Sequence, residues 1–140
     1  MIIWHNPKCS TSRKVLGLIR AAGIEPQVRN YLTDTPTRDE IRDALSALGL
    51  DARGLIRRKG TPHDDLGLGD PALGDDALIA AMAQTPVLIE RPVVFSDAGA
   101  RIGRPIEAVL DLMPPVNRAR AEAAMAAEAK AKADAKAAQA

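Results

Sequence analysis

The sequence has little of three features that often reveal a protein's class: cysteine, aromatic residues and long apolar runs. Its 140 residues include one cysteine, so no disulfide can form within the chain, and we expect a reducing, cytoplasmic location. One Trp, one Tyr and one Phe offer no stacking platform for nucleic-acid bases. No apolar run approaches the ~20 residues that span a bilayer, and no signal-peptide pattern begins the sequence. We therefore expect neither a membrane nor a nucleic-acid partner.

The chain also lacks a strong excess of charge. Five basic and three acidic residues lie beyond position 115 and give that segment a net charge of +2. Because the whole chain carries +1, residues 1–115 carry −1 and are nearly neutral. A neutral body has no electrostatic footprint for nucleic acid. The hydrophobic fraction of 46% is typical of globular proteins, and this length fits one domain. We predict a single domain, and we expect a monomer.

Apolar periodicity predicts the elements in the order β-α-β, a helical block, and then β-β-α. The predicted strands cover residues 1–4, 27–32 and 92–96, with a hairpin turn at 97–100 returning through Arg101 and Ile102. One predicted helix follows Cys9 and a second begins at Thr37. Two more cover residues 51–58 and 75–84, and the last begins at Pro105 and ends at Pro114. This order indicates an α/β fold of thioredoxin-like type, with a small mixed sheet and a helical insertion at about residues 33–88.

Local signals mark the ends of several predicted helices. Thr37 and Glu40 fit a capping box, in which each residue accepts a hydrogen bond from the backbone of the other. Gly23 and Gly49 follow apolar helical patterns and supply stop signals. Pro105 suits the first turn of the last helix.

The composition changes after Pro115. Thirteen of the last 25 residues are alanine, and beyond Val116 the only large apolar side chain is Met125. Alanine favours helix, but this segment offers no apolar face to bury. We predict a domain over residues 1–115 and a charged, alanine-rich tail, 116–140, that is a frayed helix or disordered and contributes little stability.

The single cysteine, Cys9, lies where the first predicted strand passes into the first helix. A sulfur at a helix N-terminus faces free backbone N–H groups and the positive end of the helix dipole, which favour the thiolate. The same N–H groups can receive an oxyanion. A lone cysteine is more often an inert core residue. Because Lys8, Ser10 and Ser12 surround this one, we predict a reactive nucleophile.

Two familiar thiol motifs are absent around Cys9. Dithiol oxidoreductases need a second cysteine three positions on, where this chain has Ser12, and phosphatase loops need an arginine six positions on, where it has Val15. If Cys9 forms a disulfide in turnover, the partner sulfur must come from another molecule. Glutathione or a glutaredoxin-type protein is the natural supplier.

Arginines recur where a thioredoxin-like fold would return them to the cysteine. Arg57 ends the predicted short helix, Arg91 precedes Pro92, and Arg104 precedes Pro105. Planar guanidinium groups suit tetrahedral oxyanions because each can donate two parallel hydrogen bonds. Surface charge is the common role of an arginine, but apolar strand residues and prolines surround these last two. We predict an oxyanion site without a metal or a bound cofactor.

Several segments give the chain a family resemblance over about residues 1–113. They are residues 5–13 (HNPKCSTSR), 31–32 (YL), 36–40 (PTRDE), 55–59 (LIRRK), 66–68 (LGL), 91–94 (RPVV) and 104–105 (RP). On these segments the chain resembles the glutaredoxin-dependent arsenate reductases of the ArsC/Spx-like thioredoxin-fold superfamily.

The resemblance implies an enzyme that reduces arsenate to arsenite through a covalent Cys9–arsenate adduct, with glutathione and glutaredoxin as electron donors. It implies that His5 helps to lower the pKa of Cys9 and that Pro92 is the cis-proline of thioredoxin-like folds. It assigns binding of the oxyanion to Arg57, Arg91 and Arg104, and we predict that Ser12 and Arg13 also contribute to substrate binding.

Two alternatives belong to the same superfamily. One is an Spx-type regulator that binds RNA polymerase, although such regulators usually carry a Cys-x-x-Cys switch, which Ser12 excludes here. The other is a glutathione-binding relative without turnover, which an arsenite-release assay would separate from an enzyme.

Overall fold

The structure is a computed structural model that describes residues 1–139. Four strands form one sheet: β1 (Ile2–His5), β2 (Gln27–Asn30), β3 (Val93–Ser96) and β4 (Gly99–Ile102). Five α-helices surround it: α1 (Ser10–Ala21), α2 (Arg38–Leu48), α3 (Ala52–Leu55), α4 (Asp75–Gln84) and α5 (Pro115–Gln139). Two 3₁₀ helices cover Pro86–Leu88 and Ile106–Leu112. Ala140, the end of the predicted tail, lies outside the described residues.

The sheet has the strand order β2-β1-β3-β4. β1 pairs with β2 in parallel, while β1–β3 and β3–β4 are antiparallel. Trp4 lies opposite both Arg29 and Val93, and Val93 in turn lies opposite Ile102. The predicted α/β class with a small mixed sheet is therefore confirmed.

Successive strand residues point to opposite faces of this sheet, and each face carries its own hydrophobic cluster. Trp4 and Val93 pack with Tyr31 and the apolar faces of α2, α3 and α4. Their neighbours Ile3 and Val94 pack on the other face with α1, the 3₁₀ helix Ile106–Leu112 and α5. The helical insertion thus covers one face and the terminal helices cover the other.

The predicted helix signals act as expected around α1 and α2. The Thr37 hydroxyl accepts from the Glu40 backbone at 3.1 Å, and the Glu40 carboxylate accepts from the Thr37 backbone at 3.1 Å, so the capping box is confirmed. Gly23 and Gly49 have φ of 85° and 68°, a region that only glycine adopts at little cost. These two glycines end their helices as predicted.

Two predicted elements are shorter in the structure than the sequence predicts. The helix predicted at 51–58 ends at Leu55, because Ile56 is extended and pairs with Ile89 in an isolated bridge. The strand predicted to residue 32 ends at Asn30, whose side chain accepts from the Leu32 backbone in a turn.

The last predicted helix is also different. It is the 3₁₀ helix Ile106–Leu112, and Pro105 is extended and precedes it rather than forming its first turn. With three residues per turn, Ile106, Val109 and Leu112 share one face, and Val109 and Leu112 are buried.

The tail prediction is wrong about burial. Ala121 is fully buried in α5, and Met125 packs against the cluster that contains α1. The Asn117 amide donates to the Ala22 carbonyl at 2.9 Å, which ties α5 to the end of α1. Small alanine side chains let two helices approach closely, so burial here needs no large apolar face. That residues 1–115 form the folding unit stays a prediction.

Candidate active site

The strand register brings distant parts of the chain to one end of the sheet. Because β1 and β3 run antiparallel, the loop that follows β1 lies beside the segment that precedes β3, which contains Arg91. β3 and β4 are also antiparallel, so Arg104, just after β4, lies beside Arg91. The Ile56–Ile89 bridge then places Arg57 against this segment, with the Arg57 N–H donating to the Leu88 carbonyl at 2.6 Å.

Cys9 is the N-cap residue of α1, as its position in the sequence predicts. Its own N–H donates to the Asn6 carbonyl at 3.0 Å, and the Asn6 side chain accepts from the Lys8 N–H at 3.0 Å. These bonds fold residues 6–9 into a tight turn. The turn leaves the sulfur partly exposed at the first free N–H groups of the helix.

The pKa of the Cys9 thiol is lowered from its ordinary value. Burial acts in the opposite direction and would raise it, but several donors together outweigh burial. They are the backbone N–H of Ser12, the guanidinium of Arg91 and the backbone N–H of Thr11. Helix N–H groups and a neighbouring arginine therefore favour the thiolate, which is the nucleophilic form.

His5 and Ser12 form a buried pair beneath this turn. The His5 Nδ1 atom lies 2.6 Å from the Ser12 hydroxyl, which also accepts from the Asn6 backbone at 3.1 Å. Burial lowers the pKa of His5, and the charges of Arg20 and Arg13 lower it further, so the ring is mostly uncharged at neutral pH. The contact of His5 with the start of α1 is therefore made with the Ser12 hydroxyl.

Two of the three predicted oxyanion arginines lie at the sulfur. The Arg104 Nη2 donates to the Cys9 sulfur at 3.5 Å, and its Nε donates to the Arg91 carbonyl at 2.8 Å. Both arginines precede prolines, and the Arg91–Pro92 and Arg104–Pro105 peptide bonds are cis.

Arg57 joins the site through a carboxylate that the sequence analysis missed. Its Nη1 donates to Glu90 Oε1 at 2.9 Å, and the same oxygen lies 3.2 Å from the Nε of Arg104. The position of Glu90 directly before Arg91 was the available signal, but only the tertiary contacts identify its partners.

Tyr31 is a second residue that the sequence analysis did not assign. Its hydroxyl and the Nε of Arg91 are buried, and neither has a hydrogen-bond partner among residues 1–139. Burial raises the pKa of Tyr31, although the charge of Arg91 opposes this effect. Both donors stay protonated at neutral pH and lie in the surroundings of Cys9.

Three other arginines are bound to groups other than the sulfur. Arg13 donates to the Pro7 carbonyl at 3.0 Å, which braces the turn before Cys9. Arg58 pairs with Asp64 at 3.0 Å, and Arg101 lies 3.8 Å from Asp111. The turn therefore holds Arg13 near the site, while Arg58 and Arg101 are engaged with other groups.

Two further features are absent from residues 1–139, a metal-binding cluster and a membrane-spanning helix. No group of three or more His, Cys, Asp or Glu side chains in this range could hold a metal ion. No helix in it is long and apolar enough to cross a membrane.

Known proteins share this architecture. The model of the ArsC family matches residues 4–112. An arsenate reductase of Rhizobium meliloti (strain 1021) is 49% identical over 116 residues, which are 83% of this chain and 83% of that protein. An arsenate reductase of Escherichia coli (strain K12) is 42% identical over 116 residues, 83% of this chain and 82% of that protein. A solved arsenate reductase from Vibrio cholerae superposes with a TM-score of 0.78 at 48% identity, covering 80% of this chain and 96% of that one.

The fold and the site together define a thioredoxin-like protein with one thiol at a helix N-terminus, and the predicted fold is confirmed. The chain belongs to the ArsC family.

Proposed function

We propose that this protein is an arsenate reductase that acts through a covalent bond between Cys9 and arsenic. The observation that carries the proposal is the placement of the Cys9 sulfur between the N-terminus of α1 and the guanidinium groups of Arg91 and Arg104. The names of the similar proteins from Rhizobium meliloti and Escherichia coli support the choice of arsenate among tetrahedral oxyanions.

The first step uses the thiolate that the site favours. Arsenate is a tetrahedral oxyanion, and free helix N–H groups and planar guanidinium forks are suited to bind it. The Cys9 sulfur attacks arsenic, an S–As bond forms, and an arsenate oxygen leaves as water after protonation. The arginines stabilise the negative charge on the remaining oxygens.

The second step needs another thiol because the chain has one cysteine. Glutathione serves as the co-substrate, and its thiolate attacks the Cys9 sulfur of the adduct. An S–S bond forms, the S–As bond breaks with its electron pair left on arsenic, and arsenite leaves. Glutaredoxin then reduces the mixed disulfide between Cys9 and glutathione. Over one turnover arsenic gains two electrons, two thiol sulfurs each lose one, one disulfide forms and one water is released. No bound cofactor is required for this balance, and the proposed partners are arsenate, glutathione and glutaredoxin.

The test is arsenite release from arsenate by the purified chain with glutathione, with and without glutaredoxin. Thioredoxin with its reductase, in place of glutaredoxin, is the matched alternative donor. We expect turnover that depends on glutathione and is fastest with glutaredoxin. Absence of arsenite under every donor condition would overturn the proposed activity, while faster turnover with thioredoxin would overturn the proposed donor.

A further inference from the structure

Glu90 contacts all three segments that carry the predicted oxyanion arginines. Its Oε1 accepts from the Arg57 Nη1 at 2.9 Å and from the Arg91 backbone N–H at 3.2 Å. The same oxygen forms an ion pair with the Arg104 Nε at 3.2 Å. The carboxylate is largely buried, with 22% of its side chain exposed.

We propose that Glu90 is a positioning residue, whose carboxylate holds Arg57 and Arg104 together and so directs Arg104 onto the Cys9 sulfur. This inference rests on the proposed function only for the identity of the anion that the arginines bind.

The charges at the site explain why a carboxylate is useful there. Two guanidinium groups that share one site repel each other, and a negative oxygen between them offsets that repulsion. Long arginine side chains also lose rotamer freedom when they are fixed. Glu90 fixes them before any anion arrives, so the donors are preorganised for charge that develops during reaction.

The hydrogen bonds of Arg104 show how this positioning reaches the sulfur. Its Nε is held between the Arg91 carbonyl, at 2.8 Å, and Glu90. With Nε fixed, the planar group has little freedom, and its Nη2 meets the Cys9 sulfur at 3.5 Å. Moving the carboxylate should therefore loosen the contact between Arg104 and the thiolate.

A positioning role and a simple charge effect of Glu90 predict opposite changes in the pKa of the Cys9 thiol when the carboxylate is altered. A carboxylate near a thiol disfavours the thiolate by repulsion, so removing its charge should lower the thiol pKa. If Glu90 instead positions Arg104, withdrawing its oxygen removes a donor from the thiolate and raises the thiol pKa. The direction of the change in the thiol pKa therefore distinguishes the two roles.

The experiment compares Glu90→Asp with Glu90→Gln in the full chain. Asp keeps the charge but withdraws the oxygen by one methylene group, while Gln keeps an acceptor oxygen at the same reach and removes the charge. The pH profile of Cys9 alkylation by iodoacetamide gives the thiol pKa of each variant, and circular dichroism and melting show whether each is folded. Asp64→Asn is the control, because it removes the carboxylate paired with the adjacent Arg58.

We expect Glu90→Asp to raise the thiol pKa and to slow alkylation at neutral pH by roughly three- to tenfold, since only the thiolate reacts. Glu90→Gln should give a smaller change than Glu90→Asp, and Asp64→Asn should match the wild type. If the Cys9 thiol pKa of Glu90→Asp equals that of the wild type, the positioning role is overturned, whether or not Glu90→Gln lowers the thiol pKa.

Alkylation involves no arsenate, so failure of this inference is separable from failure of the proposed function. If the wild type releases no arsenite but Glu90→Asp slows alkylation, the positioning role holds and the substrate is wrong. If the wild type reduces arsenate and Glu90→Asp alkylates normally, the substrate holds and the positioning role is overturned. In an active enzyme, we expect Glu90→Asp to lower kcat for arsenate reduction and Glu90→Gln to retain more of it.

Discussion

At Cys9, backbone N–H groups contribute much of the stabilisation of the thiolate. Two helix N–H groups, from Ser12 and Thr11, act with Arg91 against the effect of burial on the thiol pKa. Backbone donors cannot be removed by a side-chain substitution, so reactivity depends on where the sulfur sits at the start of α1. His5 supports this arrangement through the Ser12 hydroxyl, and its predicted part in lowering the pKa of Cys9 stays a prediction.

We expect Cys9→Ser to abolish arsenate reduction while the melting temperature stays within about 4 °C of the wild type. A partly exposed substitution of similar size usually changes stability by less than about 0.5 kcal/mol. A serine hydroxyl, however, has almost no anion at neutral pH and cannot serve as the nucleophile. Arsenite release and thermal unfolding of both proteins check this. Appreciable turnover by the variant would exclude the covalent mechanism.

Arg57 and Arg58 are neighbours in the chain with different surroundings. Arg57 is 19% exposed and bound to Glu90, whereas Arg58 is 74% exposed and paired with Asp64. We expect Arg57→Ala to lower kcat/KM for arsenate on the order of a hundredfold, the usual effect of losing one preorganised oxyanion donor.

Arg58→Ala is the matched control for this comparison and should stay within about threefold of the wild type, as surface substitutions do. Arg57→Lys keeps the charge but not the planar fork and should recover only part of the activity. Equal losses in Arg57→Ala and Arg58→Ala would refute the assignment of Arg57.

Among the elements, α2 shows how one carboxylate connects a helix to the sheet. Glu40 completes the capping box with Thr37 and also binds Arg29 on β2. The Arg29 hydrogen bond and then the Thr37 backbone lower the pKa of Glu40 from 4.5 to about 2. Because the folded state holds the pKa down, the charged form stabilises the fold above about pH 4.5, and this contribution disappears as the pH falls through about 2.

We expect Glu40→Gln to lower the free energy of unfolding at pH 7 by about 0.5–1 kcal/mol, the size of a partly exposed ion pair. Glutamine can keep the capping hydrogen bond but not the charge. The difference from the wild type should shrink as the pH is lowered from about 4.5 towards 2. Urea unfolding at neutral and acidic pH measures it, and a difference that is constant with pH would contradict the assignment.

For the whole molecule, α5 completes the hydrophobic cluster on the α1 face of the sheet. Ala121 and Met125 lie in or against that cluster, whereas residues 126–139 are exposed. The helix therefore has a packed first half and a solvated second half.

We expect truncation after residue 127 to change the melting temperature little, since only exposed side chains are removed. Truncation after residue 114 should lower it by more than about 4 °C, the shift that a loss of 1 kcal/mol causes in a domain of this size. Thermal unfolding of the two truncated chains beside the full chain tests this. If the chain truncated after residue 114 melts at the same temperature as the full chain, α5 adds no stability and the domain ends at residue 115.

Features that depend on neighbouring residues could be predicted from the order of the amino acids alone. The position of Cys9 at a helix start, the capping box of Thr37 and Glu40, and the glycine stops all follow from local backbone chemistry. The count of one cysteine also means that any disulfide formed by Cys9 must take its second sulfur from another molecule.

Contacts between distant segments depend on strand pairing and helix packing, which exist only in the folded chain. Glu90 meets Arg57 because Ile56 pairs with Ile89, and it meets Arg104 because β3 and β4 share a register. No local pattern encodes which side chains such pairings bring together. The packing of α5 was missed for a related reason: an alanine is buried when a neighbouring helix has room for close approach, and the periodicity of α5 alone cannot reveal that neighbour.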